Sequence, residues 1–193
     1  IASPKETVLV VLGSLHRVPV VDTFLSKGGA VLVASDQASG RDAYLKNGVK
    51  FFSRSVNTRY KDEGYLFNRD CPVIRDLKGH PSLEGVTAIA SNRPGMLSAG
   101  NLTIVARFPE LEGTSRPASF AVADETENGG RILAIADQSL FTNQMITAED
   151  NDLFAYQALL WLKDSTRKYV HFVVNGTYKR HDNVEDVELP PVQ

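Results

Sequence analysis

Three stretches of the chain carry unbroken apolar runs of strand length: ETVLVVLGS (6–14), AVLVAS (30–35) and RILAI (131–135). Runs of this kind predict strands covered on both faces, as in a parallel sheet. Between the first two, VPVVDTFLSKGG (18–29) spaces Val21, Phe24 and Leu25 for one helical face, with Gly28 and Gly29 placed to end the helix. Strand, helix and strand in about 30 residues predict a βαβ unit with a right-handed crossover.

Farther along, RDAYLKNG (41–48) predicts a short helix and VKFFS (49–53) a third strand. Residues 54–84 are rich in Arg, Asp, Asn, Gly and Pro and predict a long irregular excursion. VTAIA (86–90) and LTIVARF (102–108) read as strands on either side of the turn-rich SNRPGMLSAGN. In ASFAVADETENGGRILAIAD (118–137), two apolar runs flank a polar tip and predict a β-hairpin. Leu153, Phe154, Tyr156, Leu160 and Trp161 give residues 150–163 an amphipathic helical pattern, with Asp150 or Thr147 to cap it. KYVHFVVNG (168–176) predicts a last strand, and the polar, acidic, proline-bearing 178–193 a linker-like tail. The fold expected is α/β, with helices on both faces of a mostly parallel sheet. Residues 7–12, 30–35 and 131–136 are its expected interior strands, adjacent or nearly so.

Composition narrows the function classes. The chain has 193 residues, 42% of them hydrophobic and 23% charged, with a net charge of −2. This suits one globular domain and argues against nucleic acid as a partner, which calls for a dense Lys/Arg surface. The single cysteine, Cys71, excludes an internal disulfide and a multi-cysteine zinc site. No apolar run reaches the roughly 20 residues that span a bilayer.

The sequence carries no complete catalytic motif. Cys71 lies in NRDCPV, with no glycine two residues away, so it cannot form a nucleophile elbow. Ser139 in ADQSLF has bulky neighbours; Ser14 in LGSLH has one glycine, and His16 beside it in sequence is no triad partner for that reason alone. His16, His80, His171 and His181 share no metal-ligand spacing, and neither phosphate-binding glycine motif occurs. Asp150-Asn151-Asp152 lacks the glycine and distal glutamate of a calcium loop. No metal and no cofactor is expected.

What remains is positional. In open α/β sheets ligands bind beyond the carboxyl ends of the strands. Ser14, Asp36 and Asp137 each follow a predicted strand, and Asn143 follows in the turn ADQSLFTN (136–143). These four are the candidate ligand-binding residues. The blander reading, preferred here, is that the aspartates and Asn143 bond backbone and shape turns.

TVLVVLGSLHRV, FLSKGGAVLVASD and GGRILAIADQSLFTNQMI, followed by DNDLFAYQALLWL, together resemble an uncharacterised bacterial domain of the class I glutamine amidotransferase-like superfamily. Similar domains occur in gliding-motility transport and intraflagellar-transport proteins. The resemblance implies a flavodoxin-like three-layer sandwich over residues 1–177. It does not carry amidotransferase activity, because the elbow cysteine and the His-Glu pair are missing. Asp137, Asn143 and Asn151 are the positions that match the family's motif.

The expectation is a non-catalytic binding or scaffolding domain of a larger bacterial protein, membrane-attached in one version of that reading. Its partner would be a protein or a small polar ligand, and no catalytic residue is assigned. The alternative is a hydrolase or transferase at the carboxyl edge, using Ser14, Asp36, Asp137 and a histidine from the irregular middle.

Overall fold

A computed structural model describes residues 3–14, 21–36, 43–45, 47–52 and 54–179. The first half holds β1 (Thr7–Leu12), α1 (Val21–Ser26), β2 (Ala30–Ala34), β3 (Ala43–Tyr44) and β4 (Lys50–Phe52). Short strands follow: β5 (Val73–Ile74), β6 (Asp76–Leu77), β7 (Ile89–Ala90), β8 (Met96–Ser98) and β9 (Thr103–Arg107). The remainder is β10 (Ser119–Glu125), β11 (Arg131–Ile135), α2 (Asn151–Lys163), β12 (Tyr169–Val174) and β13 (Thr177–Lys179).

The main sheet runs β13-β12-β1-β2-β11-β10-β8-β4-β3, with β9 also on β10 and β6 on β9. β5 and β7 form a separate two-stranded ribbon. The three apolar runs become β1, β2 and β11, neighbours in one parallel block that β12 joins on the far side of β1. Their residues are buried almost throughout, as runs covered on both faces must be. The hairpin read over 118–137 is β10 paired with β11, Ala121 opposite Ile135 and Glu125 opposite Arg131.

The sheet as a whole is not mostly parallel. Three parallel pairings meet seven antiparallel ones in it. Strand accounts for 33% of the described residues against 21% helix, in a mixed, curled sheet rather than the flavodoxin-like three-layer sandwich expected. The physical reason lies in the middle of the chain. Strands of two or three residues, such as β8 inside the turn-rich SNRPGMLSAGN, carry no periodic signal, yet they extend the sheet antiparallel beyond β10. The helix expected over 41–48 is also corrected, since Ala43–Tyr44 pairs antiparallel with β4. Residues 18–20 of the first predicted helix lie outside the described residues, as do His16, His181 and 180–193 of the tail. Tyr178 and Lys179, read as the start of that tail, belong to β13.

α2 buries Asn151, Phe154, Ala158 and Leu162, one face at helical spacing, and packs on β1, β2, β7 and β11. Phe120, Leu133, Ile135 and Phe154 are fully buried in the common core. Burial of each such side chain stabilises by roughly 1.5–3 kcal/mol. At the amino ends of the strands, the buried Arg167 pairs with Asp164 and donates to the carbonyls of Gly28 (3.1 Å) and Gly129 (2.5 Å). That one guanidinium ties the turn after α1 to the tip of the hairpin.

Candidate functional site

Parallel pairing brings the carboxyl ends of four strands to one edge. Ala34 registers with Leu12 and Ile135, and Leu12 with Val174. Bonds continue past the strand ends, from Gly13 N to Ala34 O (2.9 Å), Ser35 N to Ile135 O (3.1 Å) and Asn175 N to Leu12 O (2.9 Å). Ser14, Asp36 and Asp137 therefore lie along the same edge, as topology demands.

Each of the three is engaged within the protein. Gln138 Nε2 donates to Asp36 Oδ1 at 3.1 Å, and the Ser14 amide donates to Asn175 Oδ1 at 3.3 Å. Gly13 has φ +87°, and a Cβ there would stand 2.1 Å from Asn175 Oδ1, so this junction needs glycine. Asp137 is fully buried. Its Oδ2 accepts the Asn92 amide at 2.8 Å and its Oδ1 the Ser139 amide at 2.6 Å. The Ser139 hydroxyl donates to the Asn92 carbonyl at 3.3 Å. Asp137 thus clamps the loop before β8 onto the end of β11.

Burial pushes the Asp137 carboxyl up from 3.8 to about 6; hydrogen bonds from Ser139 and Asn92 oppose the rise, and the nearby Asp36 adds to it. Asp36 is raised as well, chiefly by burial, with the Gln138 bond opposing.

Asn143 does not join this group. It is exposed, and its side chain makes no hydrogen bond among the described residues; Thr142 closes the turn instead, its hydroxyl donating to Ser139 O at 2.6 Å. The backbone-binding role expected of Asn143 belongs to Asn151. Buried at the start of α2, Asn151 accepts the Ala90 amide at 3.0 Å and donates to the carbonyls of Ala90 (2.9 Å) and Met145 (2.8 Å). Asp150 is the N-cap residue but makes no side-chain cap bond. It reaches across to Thr87 and Ala88, accepting the Thr87 amide and hydroxyl, each at 2.7 Å, and the Ala88 amide at 3.1 Å. Those bonds hold its carboxyl below the ordinary range.

The histidine required by the catalytic alternative sits elsewhere. His80, from the irregular middle, bonds Ser82 Oγ at 2.8 Å and meets the Trp161 ring edge-on at 4.6 Å. Burial and the charge of Arg131 lower its pKa. Arg131 opens β11 and Asp137 follows its end, a separation of roughly 20 Å along the strand. His171 lies mid-strand in β12, in register with Leu9. Cys71 is buried, its thiol pushed up by burial, with Asn68 Nδ2 at 3.3 Å and Asn92 Oδ1 at 3.6 Å from the sulfur. Clefts beneath the 113–117 loop are lined by none of Ser14, Asp36, Asp137 or Asn143. Among the described residues no group of His, Cys, Asp and Glu is arranged to hold a metal ion, and no helix is long and apolar enough to cross a membrane.

Asn175 and Asn92 are the members of this edge that sequence reading missed. Asn175 falls within the predicted last strand, 168–176, which in the structure ends at Val174, so the rule that finds Asp36 passes it over. Nothing in the sequence marks Asn92, because its partner is 45 residues away.

No protein-family model matches the chain, and no curated protein matches it. A solved structure, "mmIFT52 N-terminal domain", superposes with a TM-score of 0.61 at 12% identity, covering 83% of this chain and 79% of that chain. The likeness is one of fold. It bears on the intraflagellar-transport part of the resemblance only as a distant structural neighbour. The glutamine amidotransferase-like assignment is not upheld, because the sheet is mixed and strand-dominated and no family model supports it.

Proposed function

We propose that the chain is a non-catalytic domain that binds other proteins as part of a longer protein. The observation that carries this reading is the position of His80, at the opposite end of β11 from Asp137 and engaged with Ser82 and Trp161. Asp137 in turn spends both carboxylate oxygens on backbone amides. A proton-transfer residue needs reach to a reacting group, and a carboxylate fully buried against its own backbone has none. The solved neighbour is an N-terminal domain, which supports a role for this fold as a module within a larger chain.

The test is a comparison in the parent protein. Deleting the domain should release an associated protein from the purified assembly, whereas the double variant Ser14→Ala, Ser139→Ala should retain it. A fluorophosphonate probe should label neither serine. Labelling of either one, or loss of assembly in the double serine variant, would overturn the reading.

A further inference from the structure

The two most exposed large apolar side chains among the described residues are consecutive: Leu66 is 79% exposed and Phe67 is 75% exposed. Both have left-handed backbone, at φ 51° and 58°. Neither residue type adopts that conformation readily, and two in succession cost free energy that the surrounding structure must hold in place.

The tip is held firmly. Phe67 N donates to Gly64 O (3.0 Å), Asn68 N to Tyr65 O (3.1 Å), Tyr65 N to Cys71 O (2.8 Å) and Cys71 N to Asn68 O (3.0 Å). Gly64 bridges to Pro72, and a Cβ on Gly64 would stand 2.1 Å from the Asn68 carbonyl oxygen, so the loop closes only on glycine. A rigid, cross-tied loop that projects Leu and Phe into water gives up stability twice, in backbone conformation and in unburied apolar surface. Preorganisation of an anchor is the gain that offsets such a cost, because a side chain already fixed loses little freedom on docking.

We propose that Leu66 and Phe67 form a preorganised apolar plug that enters a pocket on a different protein. This rests on the protein-binding reading above and names its surface. Two features select that occupant. The two side chains offer roughly 300 Å², well short of the about 800 Å² per side of a stable interface, so they anchor a larger contact rather than form a face between two copies. Of the flanking cations, Arg59 and Arg69 are paired with Glu110 and Glu112 and the exposed Lys61 stands beside the exposed Asp62, so the tip lacks the cluster of roughly four or more free cations that draws a protein to an anionic lipid surface.

The experiment places p-benzoylphenylalanine at Phe67, and separately at Tyr156 on α2, in the full-length protein in its own cells. Irradiation at position 67 should crosslink a different protein at an apolar site. With that protein purified, Phe67→Asn should weaken binding by about tenfold or more, and raising salt from roughly 0.1 M to 0.5 M should change the wild-type affinity little. Asparagine tolerates left-handed backbone, so Leu66→Asn and Phe67→Asn should melt no lower than wild type. A lower melting temperature would assign the side chains to folding and overturn the plug. Crosslinks to lipid or to a second copy overturn it as well. Crosslinks from Tyr156 alone overturn the plug and leave the protein-binding reading standing; crosslinks from neither position overturn both.

Discussion

Asp137 Oδ2 accepts the backbone amide of Asn92 at 2.8 Å, across 45 residues of sequence. With Ser139 on its other oxygen, this carboxylate joins the carboxyl end of β11 to the loop that leads into β8. It adds a side-chain tie between the antiparallel and parallel halves of the sheet to the backbone ladder of β10 and β11.

Asp137→Ala should therefore cost about 1–3 kcal/mol near neutral pH, by leaving two part-buried amides without acceptors. Asp137→Asn should also destabilise, because its amide nitrogen would face a backbone N–H. Chemical denaturation measures both, and an unchanged midpoint for Asp137→Ala would sink the clamp.

The same group sets a pH dependence. Its folded pKa of about 6 lies above the ordinary 3.8, so the folded state holds the proton more tightly. The stability this contributes is complete below the lower value and is lost as pH rises through the upper one. The gap between wild type and Asp137→Ala should be wider at about pH 4 than at about pH 8 by roughly 2 kcal/mol. Urea titrations at the two pH values check the sign.

Asn151→Ala should cost about 3 kcal/mol, since it strands the Ala90 amide, the Ala90 carbonyl and the Met145 carbonyl. Asn143→Ala should change stability by no more than about 0.5 kcal/mol. Thermal melts of the two variants side by side decide which asparagine holds the turn, and equal losses would contradict the structure.

Cys71 should resist iodoacetamide in native buffer and react at least about tenfold faster once the chain is denatured. Burial and the raised thiol pKa both act in that direction. Matching rates in the two conditions would show that the pocket around Asn68 and Asn92 does not shield the sulfur.

The parallel block was legible because each strand states its burial locally: five consecutive apolar residues in Ala30–Ala34 need no knowledge of their neighbours. The antiparallel half was not. β8 is three residues long, and its pairing with β4 and β10 depends on chain far away in sequence. At the site, the edge shared by Ser14, Asp36 and Asp137 followed from strand direction alone. The identity of the working asparagine did not, because Asn143 and Asn151 look alike until Ala90 is brought alongside from 61 residues away. Asp150 was read as a helix cap for the same reason, its true partner Thr87 lying 63 residues distant.

The pairing of β1 with β12, Thr7 against Tyr169 through Leu12 against Val174, has a consequence during synthesis. The strand that covers the outer flank of β1 is made long after it, Tyr169 standing opposite Thr7. At about 5–20 residues per second, that flank stays open for something on the order of ten seconds. For that interval an apolar strand offers a bare row of N–H and C=O groups to any neighbouring nascent chain. Closure of that flank then waits on a contact between segments far apart in the chain, the kind of long-range step that makes folding slow.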